Sequence, residues 1–148
     1  MLAAKEQMNV ETVRSFIERF WNKQELNCTK EFLTEDYRDH AYTPNSVEGL
    51  EQMGRILNSA FSGQQSMIQE IIAQGDKVMV RMVLRGEHSG TFRGTAPTGN
   101  SVEATVYREY RLVDGKIAEH WALFDTAALL QQIGAQLSID NACKIKRD

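Results

Sequence analysis

Asp39, His40, His88 and Asp125 are the residues of this chain whose types and surroundings suit proton transfer. A carboxylate among apolar neighbours serves as a general base, and an imidazole orients or polarises the group that reacts. Asp125 leads because it ends an apolar run that follows the Asp114-Gly115 turn, with Ile117, Trp121 and Leu123 alternating against Ala118, Ala122 and Phe124. A strand apolar on both faces is an interior strand, and an acid at its end is desolvated unless it caps, pairs or reacts. The plainer alternative is that Asp125-Thr126 before Ala127-Ala128-Leu129-Leu130 is an ordinary helix N-cap, accepting backbone N–H bonds; the two roles are compatible.

Strand parity decides which polar groups meet, provided no bulge intervenes. Ile117, Glu119, Trp121, Leu123 and Asp125 then share one side, and His120 shares the other with Ala118, Ala122 and Phe124, so Asp125 and His120 form no dyad within the strand. His88 follows Val78, Val80, Met82 and Leu84 by twos and is expected to face inward; the alternative is a histidine bonded to backbone where its strand breaks at Ser89-Gly90. Asp39-His40 lies in a segment expected to reach the mouth of a pocket, against the alternative of an acid paired with Arg38 and an imidazole packed on Tyr37 or Tyr42. Phe16, Phe20, Trp121 and Tyr107 are the expected ligand contacts.

The elements that must position these groups fall into two halves. Val10, Val13, Phe16, Ile17, Phe20 and Trp21 have the spacing of an amphipathic helix. A short helix with Phe32 and Leu33 follows, and a third carries Leu50, Met53, Leu57, Ala60 and Phe61 behind Asn45 and Glu48 at capping-box spacing, ending at Ser62-Gly63. The period then changes to two: Met67–Ala73, Lys77–His88, Ser101–Val113 and Lys116–Asp125 predict four antiparallel strands, and Thr126–Gln132 a closing helix before Gly134. The order is α+β, with three helices on the concave face of a curved sheet forming a cone with an apolar interior. One domain over 1–137 and a polar tail over 138–148 account for the chain of 148 residues.

Seventeen basic and twenty acidic residues, net charge -3, provide no basic stripe for nucleic acid. No window approaches the roughly 20 apolar residues of a membrane span, so no membrane partner and a cytoplasmic location are expected. Cys28 and Cys143 are expected to be free thiols. The three histidines lack metal-ligand spacing and the glycines between strands lack a nucleotide-binding pattern, so neither metal nor cofactor is assigned.

Gly86-Glu87-His88-Ser89-Gly90-Thr91-Phe92-Arg93-Gly94, Ala96-Pro97-Thr98-Gly99, Asp114-Gly115-Lys116-Ile117-Ala118-Glu119-His120-Trp121 with Asp125, and Leu129-Leu130-Gln131-Gln132-Ile133-Gly134 together resemble, in order and spacing, the SnoaL-like polyketide cyclases, or ester cyclases, of the NTF2-like superfamily. The resemblance implies an NTF2-like cone, commonly a homodimer joined through the sheet, holding a small apolar or polyketide-like ligand without a cofactor. It also implies a role for Asp125: taking an activated proton from a polyketide ester, so that the enolate attacks a carbonyl of the same molecule in an aldol-type ring closure. Two departures stand out: Ser62-Gly63 replaces a frequent Pro-Asp pair, and the penultimate strand offers Tyr107, Arg108 and Tyr110 where a histidine is often found. The alternatives are an isomerase, dehydratase or hydrolase on the same cone, or a non-catalytic ligand-binding or dimerisation module.

Overall fold

A computed structural model describes residues 2–135; the tail read from 138 to 148, with Cys143, lies outside the described residues. Helix α1, Ala4–Phe16, continues into a wider π-helical turn, Ile17–Asn22. The helical stripe expected from the spacing, Val10 to Trp21, is buried throughout. A 3-10 turn, Leu26–Cys28, and the short α2, Thr29–Phe32, lead into strand β1, Leu33–Asp39. Helix α3, Val47–Ala60, is followed by β2 Phe61–Gln74, β3 Lys77–His88, β4 Ser101–Val113 and β5 Lys116–Phe124, and α4, Thr126–Gln132, closes the fold. The architecture is α+β, with a single curved sheet carrying the helices' apolar faces on its inner side.

The sheet has five strands in the order β1-β5-β4-β3-β2, one more than the alternation predicts. The extra strand, β1, runs parallel to β5 at one edge, with a register shift between Leu33 and Arg38. Its sequence, Leu-Thr-Glu-Asp-Tyr-Arg-Asp, is too charged to show the usual strand signal, as suits an edge. Two boundaries also differ. Asn45 does not cap α3: Ser46 holds the N-cap position, and the Asn45 carbonyl accepts the Asp39 N–H at 3.0 Å. Ser62-Gly63 lies within β2, at a register shift, rather than in a helix-ending loop.

The strand faces follow from the ladders. Val78, Val80, Met82 and Leu84 of β3 and Val102, Ala104, Val106, Arg108, Tyr110 and Leu112 of β4 point inward. Asp114 and Gly115 both have positive φ, 49° and 78°, the backbone of a type I′ turn that twists with the strands it joins. Beyond the turn Leu112 pairs with Ile117 but Arg111 pairs with Glu119, so Ala118 is a bulge residue. Ile117 and Ala118 are both buried, and from there His120, Ala122 and Phe124 form the inner row while Glu119, Trp121 and Leu123 face out. This overturns the placement of Trp121 on the inner side: one inserted residue moved the inward parity from Ile117 to His120.

The loop between β1 and α3 is held close to the helix start. A Cβ at Gly49 would lie 2.1 Å from the Pro44 carbonyl oxygen, a backbone atom that cannot step aside. Gly49→Ala should therefore destabilise the fold by about 1–3 kcal/mol, measured by urea unfolding, with an unchanged midpoint contradicting that close approach.

Candidate functional site

The inner rows of β1, β4 and β5 bring together polar side chains that an apolar core would otherwise exclude. Asp39 and His120 are Cα partners on adjacent strands, as are Tyr110 and His120. Asp39 and His120 are both wholly buried, and Arg108 retains 2% exposure. Asp39 Oδ2 accepts the Tyr37 hydroxyl at 2.6 Å and faces His120 Nδ1 at 3.0 Å, while Oδ1 accepts the backbone N–H groups of Ala41 and Tyr42 at 2.9 and 3.1 Å. Arg108 Nη1 donates to the Tyr42 hydroxyl at 2.9 Å and lies 3.2 Å from His120 Nε2. The guanidinium stacks on the Trp21 ring at 4.1 Å, and Tyr110 stacks on the His120 imidazole.

The donors fix the protonation pattern. A guanidinium has no lone pair to offer, so His120 Nε2 is the acceptor and Nδ1 carries the proton given to Asp39. Burial pushes the His120 imidazole below its ordinary value, outweighing the nearby carboxylate, and the Arg108 charge acts in the same direction. Burial alone would raise the Asp39 carboxyl, but the His120 hydrogen bond and attraction, with the Tyr37 hydroxyl and Ala41 N–H, hold it below its usual range. Burial, then the adjacent Asp39 charge, pushes the Tyr37 phenol far up, keeping it a neutral donor. At neutral pH the cluster is an anion and a cation bridged by a neutral imidazole, with no net charge left in the core.

Next to this cluster a cavity of about 970 Å³ opens between α3, the 91–93 loop, the end of β5 and the start of α4. Its wall is mainly apolar, including Met53, Leu57, Phe92 and Ala122, and Arg93 and Asp125 are its charged residues. Tyr42 lines it too and is thus the link between cavity and buried cluster. Ala122, the Cα partner of Arg108, contributes only a methyl there. Asp125 is exposed, caps α4 through Oδ1, which accepts the Ala128 N–H at 3.1 Å, and leaves Oδ2 without a hydrogen bond among the described residues. A second groove, about 800 Å³, runs past Lys30, Tyr37 and Lys116 but includes neither Asp125 nor Tyr42.

The expected site residues separate accordingly. Asp125 lines the cavity, whereas Asp39 lies behind the wall, bonded to the backbone N–H groups of the lining residues Ala41 and Tyr42 and linked to the Tyr42 hydroxyl through His120 and Arg108. His88 faces inward as the alternation predicts, yet lies outside the cavity lining: Nδ1 accepts the Thr98 N–H at 3.2 Å, so Nε2 carries a proton and is buried without a partner. This is the backbone-bonded alternative. His40 is on the outer side, where Nε2 meets Glu119 at 2.6 Å and the ring stacks on Trp121, itself covered by Lys77. Phe16 and Phe20 stack on each other at 5.1 Å in the core, outside the cavity wall. Tyr107 is 47% exposed on the outer face, because its neighbours Val106 and Arg108 take the inward positions. His120, Arg108 and Tyr42 are the residues the sequence reading passed over. Counting by twos from Val102 leads directly to Arg108, whereas His120 required the bulge and the strand β1.

The profile of the SnoaL-like polyketide cyclases matches residues 11–133. The chain belongs to this family. Among solved structures this SnoaL-like protein is similar to IdmH of Streptomyces antibioticus, a candidate polyketide cyclase, at 30% identity and TM-score 0.77 over 86% of this chain and 99% of IdmH. AclR of Streptomyces galilaeus, a candidate hydroxylase, matches at 25% identity and TM-score 0.79 over 87% of this chain and 97% of AclR. A SnoaL-like protein of Jannaschia sp. CCS1 shares the fold at 24% identity and TM-score 0.81, covering 93% of this chain and 99% of the other. No protein with a curated description matches the sequence.

The buried pair sets the acid sensitivity of this SnoaL-like fold. With its folded-state value depressed, His120 takes up a proton more readily in the unfolded chain, so stability declines as pH drops below about 6.5. Asp39, also depressed, contributes stability above its unfolded value and loses it as pH falls below about 4. Urea unfolding across pH should show both declines for the native protein and only the lower one for His120→Asn, which retains a donor for Asp39; a native profile flat between about pH 7 and 5 contradicts the assignment. Asp39→Ala should cost about 3–5 kcal/mol, since it strands the donors that converge on the carboxylate.

Proposed function

We propose that this protein is a cofactor-independent SnoaL-like cyclase that binds a small, largely apolar polyketide ester and starts ring closure by proton abstraction at Asp125. A C–H bond between two carbonyls is acidic enough for a carboxylate to break: its proton passes to Asp125 and its electron pair is delocalised as an enolate, whose carbon attacks a second carbonyl folded against it. The π bond of that carbonyl opens to an alkoxide, which takes the proton back from Asp125. The observation that carries this reading is the position of Asp125: it lines the apolar cavity, and its Oδ2 is left over after Oδ1 has capped α4. Membership of the SnoaL-like family supports the same chemistry. The cap itself favours a second reading, a ligand-binding protein in which Asp125 only starts a helix.

One experiment separates these readings. Methyl 3-(2-naphthyl)-3-oxopropanoate in D2O reports proton abstraction through loss of its α-proton NMR signal, with no requirement for cyclisation. The native protein should accelerate exchange, and Asp125→Asn, which preserves the cap, should reduce that acceleration by at least about a hundredfold. Binding without faster exchange in the native protein would favour the second reading, and equal exchange by the variant would remove Asp125 as the base.

We also assign a homodimer formed through the outer face of the sheet, in the cytoplasm. Ile72, Met79, Tyr107 and Leu123 are exposed on or beside that face, and its ion pairs, Lys77–Glu109, Arg81–Glu70, Arg85–Glu103 and Arg111–Glu119, neutralise one another, so two copies meet without like-charge repulsion. Light scattering should give twice the 16.8 kDa chain mass, and Tyr107→Glu should return the monomer. A monomeric native protein contradicts the assignment.

A further inference from the structure

Tyr42 is tied to Asp39 at both ends. Its backbone N–H goes to Asp39 Oδ1 directly, and its hydroxyl returns to Asp39 Oδ2 through Arg108 Nη1, His120 Nε2, the imidazole ring and His120 Nδ1. The hydrogen bonds thus close a ring around one side chain. The rest of the ring is confined: Asp39 and His120 are wholly buried, and the buried Arg108 guanidinium lies over the Trp21 ring. The side chain fixed by these bonds lines the cavity that Asp125 also lines.

The direction of the bonds matters more than their number. The Tyr42 oxygen accepts from Arg108, and a guanidinium has nothing with which to accept in return. Among the described residues no acceptor takes the Tyr42 O–H, so this donor remains unspent on a residue of the cavity wall. A permanent cation stands 2.9 Å behind it. A donor of this kind, fixed before the reaction and backed by positive charge, suits an oxygen on which negative charge develops, because no reorganisation is needed as the charge appears.

We propose that Tyr42 donates a hydrogen bond to the carbonyl oxygen of the bound carbon acid, and that Arg108, His120 and Asp39 are the positioning residues that aim it. The inference rests on the carbon-acid reading of the cavity and names its oxygen-binding end. In the step concerned, the substrate C–H bond breaks, its proton goes to the Asp125 carboxylate, its electron pair forms the enolate C=C bond, and the carbonyl π pair moves onto the oxygen held by Tyr42, which keeps its own proton.

Binding of 4-nitrophenol tests the oxygen site without any turnover, because its phenolate mimics the enolate and absorbs apart from the neutral form. The background is Asp125→Asn, so that carboxylate repulsion does not obscure the comparison. Adding Tyr42→Phe should weaken phenolate binding by roughly tenfold to a hundredfold, the range for a hydrogen bond to a charged group, and binding of neutral phenol by much less. Arg108→Met, with its fold checked by circular dichroism, should lose the same preference; should it fail to fold, Tyr42→Phe, which leaves Arg108 in place, still decides. Retention of the preference in Arg108→Met overturns the positioning role. Equal loss for both forms, no loss with Tyr42→Phe, or no phenolate binding at all overturns the assignment of Tyr42. The exchange assay on single variants keeps the two claims apart. If Tyr42→Phe matches the native rate while Asp125→Asn is inactive, the base stands and the oxygen site falls; if Asp125→Asn exchanges normally, the base falls and the phenolate result still judges Tyr42.

Discussion

The interaction on which this fold turns is the solvation of one buried carboxylate by the protein. Asp39 has no exposure, and removing an ionised group from water is costly unless donors replace the lost hydration. Tyr37, His120 and two backbone N–H groups supply that replacement from β1, β5 and the loop beyond β1. Satisfying the acid therefore fixes three pieces of chain in relation to one another. The charge is balanced at a distance by Arg108, with the imidazole between them keeping each ion bonded and the core neutral. The same carboxylate holds the 41–42 turn against the cavity, because Oδ1 accepts both of its backbone N–H groups.

The lining of the cavity follows from that constraint and from where β5 stops. The strand delivers Ala122 and Phe124 to the cavity wall and then hands the chain to α4 at Asp125, so the acid stands at the rim where strand becomes helix. Capping spends one carboxylate oxygen and orients the other. Under the proposed function one residue would serve structure and chemistry together, the cap limiting the rotational freedom that a base would otherwise lose on reacting. IdmH, a candidate cyclase, and AclR, a candidate hydroxylase, share this fold, so the scaffold alone does not identify a reaction.

Legibility in the sequence varied with the strength of local pattern. The first helix, the four long strands, the Asp114-Gly115 hairpin and the closing helix all carry periodicity or turn chemistry in their own residues, and each is present, although β2 starts at Phe61 rather than Met67. Strand β1 does not: Glu35, Asp36 and Arg38 mask it, since an edge strand needs few apolar positions. Its absence from the sequence reading hid the partner of His120. The Ala118 bulge added a second loss, since one extra residue in a ladder leaves no mark in composition but exchanges the two faces beyond it. That exchange is why Trp121 was expected at the ligand and His120 was not. Tyr107 failed for a simpler reason: its neighbour Arg108 continues the inward row, and an arginine among valines reads as outward until a stacked Trp21 and a paired imidazole are there to receive it.

Both proposed roles require Asp125 and Tyr42 to face the same ligand in one cavity. A crystal structure of Asp125→Asn with methyl 3-(2-naphthyl)-3-oxopropanoate bound tests that requirement. The prediction is a ketone oxygen within hydrogen-bond distance of the Tyr42 hydroxyl and the α-carbon turned toward the side chain at position 125. An ester lodged in the groove beside Lys30 and Lys116, or bound in the cavity with its carbonyls away from Tyr42 and its α-carbon away from position 125, would contradict it.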